Sequence, residues 1–193
     1  YKGLGTSNAK EAREYFHSMK MNNYIYTDES DASMELAFRK DRSDKRKEWL
    51  YNYNEARILD HTKSEIKIES FINDELIHFS NADTLRSVGS LIDGWKPSQR
   101  KVFYACIKRK LYKEIRVAQL AGYVSEHAAY HHGEASLQST IIGMSQNYVG
   151  SNNINILMPN GQFGTRILGG ADSASPRYIH TELNTLMDVI YPL

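Results

Sequence analysis

Apolar residues recur at helical spacing along most of the chain and alternate with polar residues only over short stretches. In the first half, helical spacing marks residues 9–19, 33–40, 44–53 and 70–88. Thr6 or Ser7 is predicted to cap the first of these helices, and Ser70 the last. Residues 21–33 are polar and weakly patterned, which predicts a loop, whereas residues 58–68 alternate enough to predict a short strand.

The helical pattern is sharper in the second half of the chain. Pro97 fits the first turn of a helix, where its missing N–H costs little. That helix is predicted to bury one face, formed by Val102, Phe103, Cys106 and Ile107. Residues 117–133 predict a helix, a turn at Gly122 and a second helix that ends at Gly133. A third helix, which follows directly, has apolar residues at helical spacing at Leu137, Ile141, Met144 and Tyr148.

The pattern changes after Gly150, where glycine and other small residues become frequent. Residues 154–170 predict a β-hairpin that turns at Asn160 and Gly161. A loop of small residues follows, and residues 177–190 return to helical spacing. Three helices followed by a hairpin is the order of a winged-helix domain, a helix-turn-helix variant that places one helix in the DNA major groove. The chain as a whole is therefore predicted to be α+β.

Charge is placed unevenly along a chain whose formal net charge is only +1. Between residues 96 and 116 the only acid is Glu114, and the basic residues are Lys96, Arg100, Lys101, Lys108, Arg109, Lys110, Lys113 and Arg116. This imbalance predicts a surface that faces a polyanion. A second basic cluster over residues 39–47 is diluted by Asp41 and Asp44, so a solvated helix face explains it equally well.

Composition excludes several other classes of protein. The single cysteine, Cys106, rules out an intrachain disulfide and a cysteine-rich zinc module, and it fits a reducing compartment. No apolar run approaches the roughly 20 residues that a membrane-spanning helix needs, so no membrane partner is expected. The sequence begins without an initiator Met or a signal-peptide pattern, from which we expect it to be part of a longer protein.

Tyr178, in the segment ASPRYIHTEL, is one of 13 tyrosines and needs its neighbours to distinguish it. A phenol has a pKa of about 10, so at neutral pH it attacks phosphorus only with help. The adjacent Arg177 guanidinium could stabilise both a phenolate and the phosphoryl oxygens, the two side chains pointing about 100° apart if both lie on a helix. Ordinary packing of an Arg–Tyr pair is the alternative, and the two residues alone favour it.

Two histidines and a glutamate offer a rival chemistry. His127 and His131 are four residues apart on one face of a predicted helix, and Glu134 follows, which is the spacing of a zinc site in a hydrolase. Gly133 interrupts the helix before Glu134, however, and no distant further ligand stands out. Histidines that hydrogen-bond a phosphate from a helix end are the preferred interpretation.

Five ordered blocks of the sequence resemble one family. They are YKGLGTS, DGWKPSQRKVFYACIKR, VAQLAGYVSEHAAYHHGEASL, NYVGSNNINILMPNGQFGTR and GGADSASPRYIHTEL. Together they are similar to the eukaryotic-type DNA topoisomerase II (type IIA) family over nearly the whole chain, least clearly over residues 21–68. The resemblance implies a C-terminal remnant of the Toprim domain at residues 1–25, a helical linker at residues 26–80 and a winged-helix DNA-cleavage domain at residues 81–193.

The resemblance also implies roles for individual residues. Tyr178 would be the nucleophile that becomes linked to a DNA 5′ phosphate, Arg177 would stabilise the transition state, and His132 would support the phosphate. Further residues are implied to contact DNA or to lie around the cleavage site, namely Arg39, Lys40, Arg86, Asp93, Lys96, Arg100, His131 and Ser136, with Lys2 a weaker candidate.

The implied activity is that of an ATP-dependent type II topoisomerase, which passes one duplex through a transient double-strand break in another. The family's magnesium ligands precede YKGLGTS and its ATP site lies in another domain, so the chain alone is expected to bind neither Mg²⁺ nor ATP and to be inactive. The implied partners are double-stranded DNA and a second copy of the same protein, in the nucleus if the source is cellular. A winged-helix DNA-binding module without chemistry is the alternative, and it would form no covalent adduct with DNA.

Overall fold

The chain folds into two units that divide between Thr84 and Leu85. The computed structural model describes residues 6–192, so Lys2 lies outside the described residues. Within that range both units are mainly helical, and each contains one two-stranded sheet. The predicted α+β class is confirmed as a mixed, mainly helical architecture. None of the helices between residues 6 and 192 is long and apolar enough to cross a membrane.

The first unit contains a short parallel sheet among its helices. In chain order its elements are α1 (Ala9–His17), β1 (Asn23–Ile25), α2 (Ser30–Phe38), a 3₁₀ turn (Lys40–Arg42), α3 (Ser43–Tyr51), β2 (Glu65–Lys67), α4 (Ile68–Phe71), a π turn (Ile72–Leu76) and α5 (Ile77–Ser87), whose end belongs to the second unit. β1 and β2 pair in parallel, with Tyr24 opposite Ile66. The hydroxyls of Thr27 and Ser30 donate to the Glu69 carboxylate, which ties the start of α2 to α4.

The helices predicted over residues 9–19, 33–40 and 44–53 are confirmed by α1, α2 and α3, and the predicted strand is confirmed by β2. The predicted cap of α1 is wrong, because Asn8 rather than Thr6 or Ser7 caps it. The Asn8 Oδ1 accepts from the backbone N–H groups of Lys10 and Glu11 at 2.9 and 3.0 Å.

Two further expectations in the first unit are corrected. Residues 21–33 are not a loop throughout, since β1 pairs with the distant β2 and α2 begins at Ser30. The helix expected from Ser70 begins at Ile68, so Ser70 is not its cap, and a π turn interrupts it. Asn73 lies in that turn, where its side-chain amide donates to the Glu69 carbonyl and its Oδ1 accepts from the Trp49 indole N–H, each at 2.9 Å.

The three longer helices of the second unit pack around one apolar core. Its elements are α6 (Pro97–Arg109), β3 (Ile115–Arg116), α7 (Val117–His127), α8 (Glu134–Ser145), β4 (His180–Thr181) and α9 (Met187–Ile190). Pro97 begins α6 as predicted, and Val102, Phe103 and Cys106 are buried on its inner face, with Ile107 partly buried beside them. Burial of one such side chain contributes roughly 1.5–3 kcal/mol, so this face fixes α6 against the core.

Apolar burial also explains why α7 differs from its prediction. The helix runs through Gly122 without a turn, because its buried face comprises Val117, Leu120, Ala121 and Val124. Their burial outweighs the roughly 1 kcal/mol that one glycine costs inside a helix. α7 ends at His127, so residues 128–133 form no second helix. α8 buries Leu137, Ile141 and Met144 as predicted but ends at Ser145, which leaves Tyr148 outside it.

The hairpin predicted over residues 154–170 and the helix predicted over residues 177–190 are both wrong. The two segments pair with each other instead, through bridges from Leu157 to Leu183 and from Asn160 to His180. β4 also pairs with β3 in antiparallel fashion, with Ile115 opposite Thr181. Backbone hydrogen bonds to two other segments thus hold the chain in an extended conformation after residue 178. Only the short α9 is helical in this segment.

Candidate functional site

Tyr178 lies in a tight turn at the surface of the second unit. Its backbone N–H donates to the Ser175 carbonyl at 2.8 Å, and its side chain is 75% exposed. The next residue, Ile179, is only 1% exposed and anchors the turn in the core. Among residues 6–192 the Tyr178 hydroxyl has no hydrogen-bond partner, so it is accessible to a ligand that approaches from solvent.

The first turn of α7 holds this tyrosine turn in place. The backbone N–H groups of Val117 and Ala118 donate to the carbonyls of Ile179 and Pro176, at 3.0 and 3.1 Å. The first N–H groups of a helix have no partner within the helix, so these bonds satisfy donors that would otherwise need water. Tyr178 is therefore positioned by the two fixed carbonyls on either side of it.

Basic side chains flank the tyrosine. Arg177 is exposed and pairs with no acidic side chain among the described residues. Arg116 lies opposite His180 in the pairing of β3 with β4, so it belongs to the strand beside the one that follows the tyrosine. Arg177 and Tyr178 lie in a turn, so the helical angle expected between their side chains is wrong. The adjacency of a guanidinium and a phenol at the surface is retained.

A cavity of about 330 Å³ in the second unit brings together three of the predicted residues, Arg86, His132 and Ser136. Its other lining residues were not predicted as part of the site; they are Ser87, Pro97, Ser98, Lys101, Tyr130 and Thr140. The spacing of Ser136 and Thr140, four residues apart on α8, is a signal that could have identified Thr140. No comparable signal in the sequence identifies Tyr130.

Lys101 fixes the loop that carries the two adjacent histidines. Its Nζ donates to the Ala129 carbonyl at 2.6 Å, and Ala129 has a φ of 47°, which is uncommon for a residue with a Cβ. Tyr130 is buried, and its ring meets the His132 ring edge-on with the centroids 5.3 Å apart. His132 thus lines the cavity from a restrained loop, and His131 beside it is exposed.

Asp93 and Arg100 bind each other at the start of α6. The Arg100 Nη2 lies 2.8 Å from both carboxylate oxygens, and the backbone N–H of Trp95 donates to Asp93 Oδ1 at 3.1 Å. The hydrogen bond from Trp95, and then the Arg100 guanidinium, lower the pKa of the Asp93 carboxyl. Asp93 therefore neutralises the charge of the Arg100 guanidinium. The Lys96 side chain, at the start of the same helix, is exposed.

The two remaining predicted residues, Arg39 and Lys40, belong to the first unit. Arg39 pairs with Glu35 and Asp41 at 2.8 and 2.9 Å, and these carboxylates, Glu35 foremost, raise the pKa of its guanidinium. Lys40 is exposed and pairs with no acid among the described residues. Lys40 is therefore better placed than Arg39 to bind a phosphate without breaking an existing ion pair.

The arrangement expected for zinc is not formed. Because α7 ends at His127, His131 does not share its helix face. The His127 Nδ1 donates to the Tyr123 carbonyl at 3.1 Å, and the two rings stack with centroids 3.9 Å apart. Between residues 6 and 192 no three His, Cys, Asp or Glu side chains are grouped so that they could hold a metal ion. The zinc-hydrolase alternative has no geometric support in this region.

Family models match both halves of the chain. Residues 86–192 match the model described as the A-type subunit of DNA gyrase/topoisomerase IV, and residues 1–84 match the C-terminal associated domain of TOPRIM. The chain is 55% identical to DNA topoisomerase 2 of Saccharomyces cerevisiae over 99% of its own length. It is 51% identical to human DNA topoisomerase 2-beta over its whole length. It spans only 14% and 13% of these two relatives.

A solved structure is also similar, the crystal structure of the Plasmodium falciparum topoisomerase II DNA-binding, cleavage and re-ligation domain. The two sequences are 49% identical, and the TM-score is 0.70. The similarity covers 97% of this chain and 26% of that one, so this chain corresponds to about a quarter of that structure.

Proposed function

We propose, because the chain belongs to the type II DNA topoisomerase family, that it forms part of the breakage–reunion core of an ATP-dependent type II topoisomerase. The whole protein would cut one duplex, pass a second through the gap and reseal the first. The observation that carries this proposal is the placement of Tyr178 on a turn fixed by α7, where it is 75% exposed beside Arg177, which pairs with no acid between residues 6 and 192. Ordinary packing does not account for a phenol that projects into solvent from a backbone turn that is hydrogen-bonded on both sides.

The proposed reaction transfers a DNA phosphoryl group to Tyr178. The phenol oxygen forms a bond to phosphorus while the bond from phosphorus to the 3′ oxygen of the neighbouring nucleotide breaks. The phenol loses its proton and the departing 3′ oxygen gains one. Arg177 stabilises the charge on the phosphoryl oxygens. One phosphoester replaces another, so the retained 3′ hydroxyl can reseal the break without an external energy source when it is held in line.

The cavity lined by Arg86, His132 and Ser136 is proposed to bind a DNA phosphate near the cut. A guanidinium, an imidazole and a hydroxyl are all donors that phosphates accept from. Lys101 would act as a positioning residue there, because its bond to the Ala129 carbonyl restrains the loop that carries His132. We propose further DNA contacts at Lys96, His131 and the first-unit residue Lys40. Asp93, Arg100 and Arg39, whose charges are already paired, are proposed to lie near the DNA beside them.

We also propose that the second unit is a winged-helix domain. α7 and α8 would form its helix-turn-helix, and the first turn of α8, exposed at Glu134 and Ser136, would face DNA. The extended segments that pair Leu157 with Leu183 would serve as the wing. The division of the chain between Thr84 and Leu85 supports a boundary near the start of the proposed cleavage domain at residues 81–193. A Toprim remnant at residues 1–25 and a linker at residues 26–80 are proposed to precede it.

Mg²⁺ and ATP are proposed as cofactors of the whole protein, with no ligands in this chain. Magnesium would neutralise charge that develops on the reacting phosphate. Its expected ligands belong to the Toprim residues outside this chain, so none of the residues described here is given that role. The proposed partners are double-stranded DNA and a second copy of the same protein, and the nucleus is the proposed location.

A single substitution in the whole protein tests the proposed reaction. Tyr178→Phe should abolish DNA cleavage and leave duplex binding nearly intact, because only the nucleophilic oxygen is lost. Tyr51→Phe is the matched control, since Tyr51 is 90% exposed on α3 in the first unit. Denaturing gels that trap protein on labelled DNA measure the outcome. A covalent adduct that persisted in Tyr178→Phe would show that another group is the nucleophile.

A further inference from the structure

The segment that follows Tyr178 presents its residues alternately to solvent and to the core. Every second residue is buried, namely Ile179, Thr181 and Leu183. Between them Tyr178 is exposed, and His180 and Glu182 are partly exposed. Successive side chains of an extended segment point to opposite faces, so residues two apart share a face. Tyr178 and His180 therefore project from the same outer side of the chain.

His180 lies between two neighbouring segments that fix its position. Arg116 of β3 is opposite it on one side. Asn160 is opposite it on the other side, and the two residues exchange backbone hydrogen bonds of 2.9 and 3.0 Å. Directly paired residues of neighbouring strands have their side chains on one face. The Asn160 side-chain amide lies 3.3 Å from Glu114 Oε2 and 3.5 Å from Glu182 Oε1, so two carboxylates share this outer face with the imidazole.

The His180 ring nitrogens have no hydrogen-bond partner in the part of the chain that the structure describes. His127 differs in this respect, because its Nδ1 donates to the Tyr123 carbonyl. The ionisable groups that face the His180 ring belong to β3, to β4 and to the tyrosine turn, and they are Glu114, Arg116, Glu182, Arg177 and Tyr178. The imidazole is thus free to exchange a proton, with two acids and two guanidiniums around it.

We propose that His180 is the general base that accepts the Tyr178 proton during DNA cleavage. The inference rests on the proposed function of Tyr178. A phenol with a pKa of about 10 keeps its proton at neutral pH, whereas an imidazole can accept a proton there. Residues two apart in an extended segment have Cα atoms about 6.7 Å apart. One water molecule can bridge a phenol oxygen and a ring nitrogen over such a separation.

The proton transfer accompanies the phosphoryl transfer. The Tyr178 O–H bond breaks, its proton passes to the bridging water, and a proton of that water passes to a His180 ring nitrogen. The phenol oxygen forms its bond to phosphorus, the bond from phosphorus to the 3′ oxygen breaks, and the 3′ oxygen takes a proton from solvent water. On resealing, the imidazolium returns its proton to the phenol oxygen, so the base of cleavage is the acid of resealing.

The pH dependence of single-turnover cleavage by the whole protein tests this role. The rate of the unsubstituted protein should rise with pH and level off between about pH 5 and 8, where an imidazole loses its proton. His180→Gln should lower the rate at neutral pH by about 10²-fold. Its rate should keep rising into alkaline pH, because the phenol must then lose its proton to hydroxide. His17→Gln, at an exposed position on α1, should keep both the rate and the plateau.

Chemical rescue separates proton transfer from a structural role of His180. Free imidazole in the buffer should restore part of the rate of His180→Ala and should not restore cleavage by Tyr178→Phe. A plateau that persists in His180→Gln, with a normal covalent adduct on Tyr178, would overturn this inference alone. A slower rate with an unchanged pH profile and no rescue by imidazole would also overturn it and leave His180 a structural role only. The absence of a Tyr178 adduct in the unsubstituted protein would contradict the proposed function as well.

Discussion

Replacement of Arg177 by alanine should slow DNA cleavage in the whole protein by about 10²–10³-fold, with little effect on folding. In the folded chain Arg177 is exposed and makes no ion pair with a described residue, so the free energy of unfolding should change by less than about 0.5 kcal/mol. The substitution removes one preorganised donor to the charge that develops on the reacting phosphate. The transition state should therefore lose about 2.7–4 kcal/mol of stabilisation. A tenfold change in rate corresponds to about 1.36 kcal/mol, which gives the stated range.

Single-turnover cleavage at saturating DNA measures this effect separately from binding. Arg177→Lys should recover part of the rate, because it keeps the charge but loses the planar fork of donors. Lys108→Ala is the contrasting variant, since Lys108 is exposed at the far end of α6, 5.9 Å from the Tyr104 ring centroid. It should flatten the salt dependence of binding by about 0.9 and change the saturated rate much less. Equal losses of binding and cleavage in both variants would refute this division of roles.

Three further results are expected. The isolated 193-residue chain should bind duplex DNA with steep salt dependence but fail to cut supercoiled plasmid in magnesium, because the proposed metal ligands lie outside it; efficient tyrosine-dependent cutting would contradict this. Gly161→Ala should lower the free energy of unfolding in urea by about 1–3 kcal/mol, since Gly161 has a φ of 128° and its Cβ would lie 2.9 Å from Ile179 Cγ2; an unchanged midpoint would contradict the strain. Asp93 has a lowered pKa in the folded chain, so its stabilising contribution is complete above its unfolded pKa of about 3.9 and is lost as pH falls through the lower folded value. The melting temperature of Asp93→Asn should therefore lie below that of the unsubstituted chain at neutral pH, and the gap should close in acid; a gap independent of pH would exclude this linkage.

Local signals predicted the helices well where one side of the helix is buried. Pro97 and the apolar face from Val102 to Cys106 identified α6, and the spacing of Leu137, Ile141 and Met144 identified α8. These features lie within one or two turns of chain, so the sequence contains them in full. Gly122 wrongly predicted a turn, because the apolar residues around it in α7 gain more free energy from burial than one glycine costs inside a helix.

Long-range pairing was not predictable from the same signals. Asn160 and Gly161 suggested a local hairpin, but Asn160 exchanges backbone hydrogen bonds with His180. Residues 177–190 have helical spacing, but most of them are not helical because of that pairing and the pairing of β4 with β3. Local strand preference does not identify which distant strand a segment will join, because that preference depends on the neighbours against which its side chains pack.

Part of the candidate site could likewise be predicted from neighbouring residues, and part depends on contacts between distant segments. The Arg177–Tyr178 pair could be identified from adjacent letters and from the family resemblance. The cavity residues Lys101, Tyr130 and Thr140 could not, because α6, α8 and the loop between α7 and α8 meet only in the folded chain. The zinc hypothesis failed because its spacing assumed one helix through both His127 and His131, whereas α7 ends at His127.

The central claim is that Tyr178 becomes covalently bound to DNA, and mass spectrometry tests it most directly. The whole protein would be trapped on DNA with denaturant and digested with nuclease and protease, and each of the 13 tyrosines would be searched for a nucleotide. The account predicts a nucleotide joined through its 5′ phosphate to the peptide that contains Tyr178, and to no other tyrosine of this chain. A nucleotide on a different residue, or attachment through a 3′ phosphate, would contradict it.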